Sequence, residues 1–324
     1  METNFYAGKK VLVTGGAGFI GSHVVELLVA RGARVTIPVR SERSNVSFLA
    51  AVKTDVNIVY ADLLDSTACN RVMVGQDIVM NLAARVGGIE YNIKHPGSIF
   101  RENLTVFMNV LEAARQANVE RFLVTSSACV YARHCAIPTP ETEGFVGTPE
   151  PTNEGYGWSK RMEEFLGDAY HREHGMTIAI ARPYNAYGPR DNFKPESSHV
   201  IPALIKRVID GENPLVVWGD GSQSRSFLYV TDFARGLLAV CEHYAVSDVL
   251  NIGADEETTI KELIELIVRL TGVKVDIQFD VSKPAGQPRR HCDATKAKAT
   301  IGFEAQVSLE EGLRQTIEWY RSNK

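Results

Sequence analysis

Tyr156 and Lys160 stand four residues apart in Glu154-Gly-Tyr-Gly-Trp-Ser-Lys160. On a helix that spacing puts a phenol and an ammonium on one face, about one turn apart. A free phenol titrates near pH ~10, and a cation within a few ångströms favours the phenolate, which moves the group towards the range of a general base. Two ordinary amphipathic side chains on a surface helix would leave the same pattern. The pair gains meaning only from what the rest of the chain places beside it.

A second constellation lies near the start. Lys10-Val-Leu-Val-Thr14 is a short apolar run, Gly15-Gly-Ala-Gly-Phe-Ile-Gly21 follows, and Ser22 to Arg31 keeps a helical period. Strand, glycine turn and helix in that order let a pyrophosphate approach backbone N–H groups at a helix N-terminus. Gly15, Gly18, Phe19, Ile20 and Gly21 are therefore candidates for holding a dinucleotide. The next strand, Arg34 to Arg40, ends without an acidic residue to accept from a ribose 2′-hydroxyl; Arg40 stands there, with Arg43 close behind. An arginine at that point suits a 2′-phosphate, so NADP(H) is expected ahead of NAD(H).

Further along, Asn57 to Asp62 reads as a third strand, with Asp62 and Leu63 placed to face the adenine. Asp77 to Ala84 reads as a fourth, whose small terminal residues, Ala83 among them, leave room for a cofactor. The fifth, Arg121 to Ser127, brings the Ser127 hydroxyl to a strand's carboxyl end, where it can hydrogen-bond a substrate oxygen while Tyr156 exchanges a proton.

Strands alternating with helical stretches predict an α/β fold: a Rossmann-type doubly wound parallel sheet with right-handed crossovers. The dinucleotide-binding domain is expected over residues 1–182. A smaller C-terminal α/β substrate lobe is expected over 183–324, interleaved with the first because no long linker or repeat separates them. Helices are expected from about Asn103 to Arg115, over Val200 to Asp210, from Glu257 to Leu270 and from Ser308 to Arg321, the last two opened by Thr and Ser caps.

The composition narrows the classes. With 324 residues the chain can bury a large core, and 44% hydrophobic and 23% charged residues are ordinary for a soluble globular protein. A net charge of −4 and the lack of a basic cluster give no nucleic-acid partner. No apolar run approaches the ~18 residues of a membrane span, so no membrane partner is expected and the chain reads as cytoplasmic. The five cysteines are scattered without a Cys-x-x-Cys, which makes neither a disulfide framework nor a metal site.

Taken together, the glycine turn from Thr14 to Gly21, Ser127, and Tyr156 with Lys160 resemble the extended short-chain dehydrogenase/reductase family, whose members oxidise, epimerise, dehydrate or reduce nucleotide-activated sugars. Gly188-Pro189, Trp218 to Asp232, Asn251-Ile-Gly253 and Arg289 to Asp293 look like further landmarks, so the resemblance runs end to end. It implies that Ser127, Tyr156 and Lys160 form a catalytic triad, with Tyr156 and Lys160 also on the cofactor side. It implies that Asn185 faces the sugar nucleotide and that Arg225 binds its diphosphate, together with one of Arg289 and Arg290.

Within the family, Cys129 and His199 resemble the two acid–base groups of the GDP-mannose 3,5-epimerases and GDP-L-fucose synthases. Inverting a carbon beside a ketone needs a base on one face and an acid on the other, and thiol and imidazole suit that exchange near neutral pH. The glycine turn, in contrast, reads more like that of the NAD-bound epimerases. The expected activity is therefore that of a nucleotide-sugar epimerase or epimerase-reductase acting on a nucleoside-diphosphate hexose, GDP-linked by resemblance, through a 4-keto sugar. A redox-neutral 4-epimerase, another sugar-nucleotide dehydratase or reductase with tightly bound NAD, and a non-catalytic dinucleotide-binding protein are the alternatives. The resemblance also implies a homodimer.

Overall fold

In the computed structural model, which describes residues 4–195, 197–283 and 287–324, the β-branched runs align as one sheet. The first half alternates strand and helix through β1 (Lys10–Thr14), α1 (Phe19–Ala30), β2 (Arg34–Val39), β3 (Val56–Tyr60), α2 (Ser66–Met73) and β4 (Ile78–Asn81). It continues through α3 (Ile89–Lys94), α4 (Pro96–Gln116), β5 (Arg121–Thr125), α5 (Glu154–His174) and β6 (Ile178–Pro183).

The strands lie in the order β3-β2-β1-β4-β5-β6, and every neighbouring pair is parallel. Both faces of such a sheet must be covered, and β1 shows how the sequence manages it. Val11 and Val13 join the core beneath α1, while Leu12, pointing the other way, joins the core beneath α2 and α4. All three are fully buried. α4 begins at Pro96, well ahead of Asn103: a proline at the first helical position has no N–H to leave unpaired, and its fixed φ starts the turn.

After β6 the chain leaves the sheet in β7 (Asn185–Tyr187), α6 (Val200–Ile209), β8 (Leu215–Trp218), β9 (Ser224–Arg225) and β10 (Phe227–Tyr229). Then it returns. α7 (Val230–His243) joins the apolar core that also contains α1, and β11 (Val249–Ile252) adds a seventh parallel strand beside β6. β11 is no shorter than β4, but its place beside β6 depends on the chain's return from the second lobe, which no local pattern in Asn251-Ile-Gly253 encodes.

β12 (Thr258–Thr259), α8 (Ile260–Thr271), β13 (Ile277–Asp280), β14 (Arg289–Arg290), α9 (Thr295–Ile301) and α10 (Leu309–Ser322) complete the chain. α6, α8 and α10 build a separate core around Ile205, Leu263, Ile264 and Leu313. α8 carries a full capping box, in which the Thr259 hydroxyl accepts from Glu262 N–H at 3.2 Å and Glu262 Oε2 accepts from Thr259 N–H at 2.8 Å. Ser308 caps α10. No helix among the described residues is long and apolar enough to cross a membrane.

Candidate active site

The carboxyl ends of the sheet strands open on one cleft of about 1600 Å³, and the second lobe forms its other wall. Its floor lies where strand order reverses between β1 and β4, the place where a doubly wound sheet leaves a crevice. Thr14 ties those two strand ends together: its hydroxyl donates to Asn81 Oδ1 at 2.8 Å and accepts from the N–H groups of Leu82 and Ala83 at 3.0 Å each. The turn above them is tight. Gly15 has φ +68°, and a β-carbon there would lie 3.0 Å from Ala83 N; one on Gly21 would lie 2.1 Å from Gly15 O. Only glycine fits either position.

Gly15, Gly18, Phe19, Ile20 and Gly21 all line the cleft, and α1 starts just after Gly18 with no acidic residue in its first turn. Unpaired N–H groups and the positive end of the helix dipole therefore meet no competing carboxylate. Arg40, Asp62, Leu63 and Ala83 line the same cavity. Arg40 is exposed and only loosely matched to Asp62, Nε to Oδ2 at 3.9 Å. The backbone cradle, the helix terminus and this exposed guanidinium fit a dinucleotide.

At the centre, Ser127, Cys129, Tyr156 and Lys160 converge on the cleft from β5's end and the start of α5. The Ser127 oxygen accepts from Cys129 N–H at 3.2 Å. Lys160 is buried, and Nζ donates to Thr125 O at 2.9 Å and to Glu163 Oε2 at 2.8 Å. It lies 5.6 Å from the centre of the Tyr156 ring. Helical spacing thus sets the two side chains on one face. The expected fall in the phenol's pKa does not follow. Burial raises the Tyr156 phenol well above its ordinary value, Cys129 and Glu163 push the same way, and the Ser127 hydroxyl alone opposes them. These influences favour the protonated phenol.

Cys129 reaches the cleft from a single 3-10 turn after β5, and His199 from the loop residue that precedes α6. Asn153 Nδ2 donates to Cys129 Sγ at 3.1 Å, and Arg290 Nη1 approaches it at 3.6 Å. His199, half open to solvent, has Nδ1 3.7 Å from Oδ1 of buried Asp191. Loss of water lowers the imidazole pKa, but the neighbouring Asp191 carboxylate, at ion-pair distance, outweighs that and holds it above its ordinary value.

Arg225 and Arg290 are register partners on β9 and β14, so their side chains leave the small sheet side by side, and both line the cleft. Burial lowers the Arg225 pKa and the facing Arg290 charge lowers it further. Two like charges held together in this way suit a ligand that carries two negative charges. Arg289, one residue earlier, pairs in register with Ser224 and emerges on the other side, where it grips Glu257 at 2.6 and 2.9 Å. It is not part of the cleft lining, so of the two arginines it is Arg290 that lines the cleft. Asn185 lines the cleft and donates to Ser226 O at 2.9 Å.

Residues not singled out from sequence complete the site. Glu164 grips Arg182 at 2.6 and 2.7 Å and accepts from the Ser126 hydroxyl, which ties α5 to the ends of β5 and β6. Asn153, Asp191 and Gln287 join the network through Cys129, His199 and Arg290 in turn. Glu163 was within reach of pattern reading, since it follows Lys160 by three residues on the same helical face.

Residues 11–253 match the NAD dependent epimerase/dehydratase family. The chain is 36% identical over 321 residues to the probable GDP-L-fucose synthase 1 of Oryza sativa subsp. japonica, covering 98% of this chain and 93% of that protein. It is 33% identical over 328 residues to a dTDP-4-dehydro-6-deoxy-D-allose reductase of Streptomyces sp, covering 100% of both. Among solved structures, the UDP-glucose 4-epimerase of Thermotoga maritima with UDP-glucose is similar, with a TM-score of 0.88 at 29% identity over 97% of this chain and 99% of that one.

Proposed function

Because this chain belongs to the NAD-dependent epimerase/dehydratase family, as an NAD(P)-dependent nucleotide-sugar epimerase/reductase, we propose that it inverts and then reduces a 4-keto nucleoside-diphosphate hexose. GDP is the favoured nucleotide and NADP(H) the favoured cofactor. The observation that carries this reading is the convergence of two chemistries in one cleft: Cys129 and His199 for proton exchange beside a ketone, and Ser127, Tyr156 and Lys160 for the carbonyl itself.

In this reading Arg225 and Arg290 hold the diphosphate, with Asn185 beside the sugar. Cys129 and His199 remove and return the protons at C3 and C5 from opposite faces of the ring, the ketone at C4 stabilising the enolate between the two steps. NADPH held by the glycine turn and Arg40 would supply the hydride at C4. The carbonyl π electrons pass to oxygen, which Ser127 holds by a hydrogen bond and to which Tyr156 gives its proton. Lys160 and Tyr156 also orient the nicotinamide ribose, and Arg40 takes the 2′-phosphate. Homodimerisation through α4 and α5 is part of the proposal; these packed helices leave Met108 and Phe165 exposed.

The test is incubation in heavy water with GDP-4-keto-6-deoxymannose, its dTDP analogue and GDP-mannose. Stoichiometric NADPH consumption on a keto-sugar, with deuterium entering C3 or C5, is the expected outcome. Retained NAD with deuterium entering GDP-mannose and no net consumption would make the protein a redox-neutral epimerase. Cofactor binding without turnover on any of them would leave a binding protein.

A further inference from the structure

Behind Lys160, away from the cleft, lies a group that the reaction scheme above does not use. Glu163 is buried on α5 at i+3 from Lys160, with side-chain exposures of 2% and 3%, and its Oε2 takes one of the ammonium's hydrogen bonds at 2.8 Å. Thr125 O takes another from the opposite side, so Nζ is clamped between a strand end and its own helix. Glu164, the next residue, is already matched by Arg182 of β6. Among the described residues, Lys160 is thus the cation that serves Glu163, and no charged group of α4 reaches the pair.

A buried ammonium facing a phenol favours the phenolate, while a buried ion pair with no net charge exerts little such pull. The two states call for opposite chemistry. Oxidising an alcohol at C4 needs a tyrosine that has lost its proton; reducing a ketone there needs one that still has it. Resting on the reductive reading above, we propose that Glu163 is a positioning residue that fixes Lys160 and cancels its charge as a carboxylate, so that Tyr156 keeps the proton that reduction consumes.

The electrostatics support the geometry. Burial pushes the Glu163 carboxyl up to about 7; Lys160 opposes this and Glu164 adds to it. As Glu163 loses its proton the compensation strengthens, so it grows as pH rises. The groups bearing on Tyr156 are Cys129 from the turn after β5, Glu163 from α5 and the Ser127 hydroxyl, and Glu163 favours the phenol.

The test compares the unsubstituted chain with Glu163→Gln, which keeps the size and a hydrogen-bond acceptor but removes the charge. In single-turnover reduction with NADPH, the basic limb of the pH–rate profile should move down by about one unit or more, with NADPH affinity changed less than about threefold. A uniform fall in rate with an unmoved limb would show a merely structural role and overturn the proposal. Should Glu163→Gln not fold, Glu163→Asp withdraws the carboxylate by one methylene; its limb should move the same way by less, and an unmoved limb is again fatal.

A second readout needs no substrate. The ultraviolet tyrosinate signal of Tyr156, taken as the difference between each chain and its Tyr156→Phe counterpart, should emerge at lower pH in Glu163→Gln. Emergence at the same pH overturns the role of Glu163. If no keto-sugar is reduced by any chain, the proposed function fails, and this difference still decides Glu163 on its own.

Discussion

The two walls of the cleft are built by different means. The wall of the first lobe is mostly backbone: a glycine turn whose close approaches leave no space for a β-carbon, strand ends locked by Thr14, and an uncapped helix start. The wall of the second lobe is mostly side chain, carried on strands of two or three residues and on irregular segments: Arg225, Arg290, Asn185 and His199. A backbone cradle suits a ligand part that never varies, such as a pyrophosphate. Side chains on short strands can be exchanged without disturbing a sheet, and that is where substrate choice belongs.

The sharpest break in this comparison comes where the walls meet. Tyr156→Phe should lower turnover by about 10³-fold or more while NADPH affinity, read by fluorescence titration, stays within a few-fold. Loss of cofactor binding instead would make Tyr156 part of the cradle. Next in size is Cys129→Ser, which should cut solvent deuterium entry at C3 and C5 by about 10²-fold and spare hydride transfer to a substrate already inverted. Full exchange in this variant, followed by mass spectrometry, would remove the thiol from the mechanism.

The two neighbouring arginines test the substrate wall directly. Arg290→Ala should raise KM for the sugar nucleotide about 10- to 100-fold with NADPH affinity unchanged, the worth of one charge-assisted phosphate contact in a partly buried site. Arg289→Ala, which breaks an exposed pair with Glu257, should leave KM within about twofold and cost at most about 1 kcal/mol of stability in thermal unfolding. Equal effects would mean that strand register does not sort them. The smallest expected effect is on the cofactor wall: Arg40→Ala should reduce the preference for NADPH over NADH by about tenfold and leave NADH binding as it was. A preference that does not move would take the 2′-phosphate away from Arg40.

What could be read in advance divides along the same line. Gly15 to Gly21 and Tyr156-x-x-x-Lys160 are local patterns, in which geometry follows from spacing along a single turn or helix. The strand that completes the sheet was harder: the place of β11 beside β6 depends on a chain that first leaves the sheet and then comes back. Arg289 and Arg290 could not be told apart, because which of two successive residues faces a cleft depends on the register of a strand with its partner. The phenol's pKa departs from what spacing alone implies for a related reason. Spacing placed an ammonium near Tyr156, but spacing says nothing of burial, nor of a carboxylate that shares the ammonium.

By itself the sequence determined the alternation of strands and helices, the glycine turn that leaves room for a pyrophosphate, and the helical face shared by Tyr156, Lys160 and Glu163. Those are properties of period and of backbone sterics, which act over a few residues. Tertiary structure alone decided that β11 and α7 return to the first lobe, that Arg290 and not Arg289 enters the cleft, and that Cys129 lies within reach of Asn153 and Arg290. Each of these joins segments distant in the chain, and their meeting is set by strand register and core packing, which no local pattern encodes.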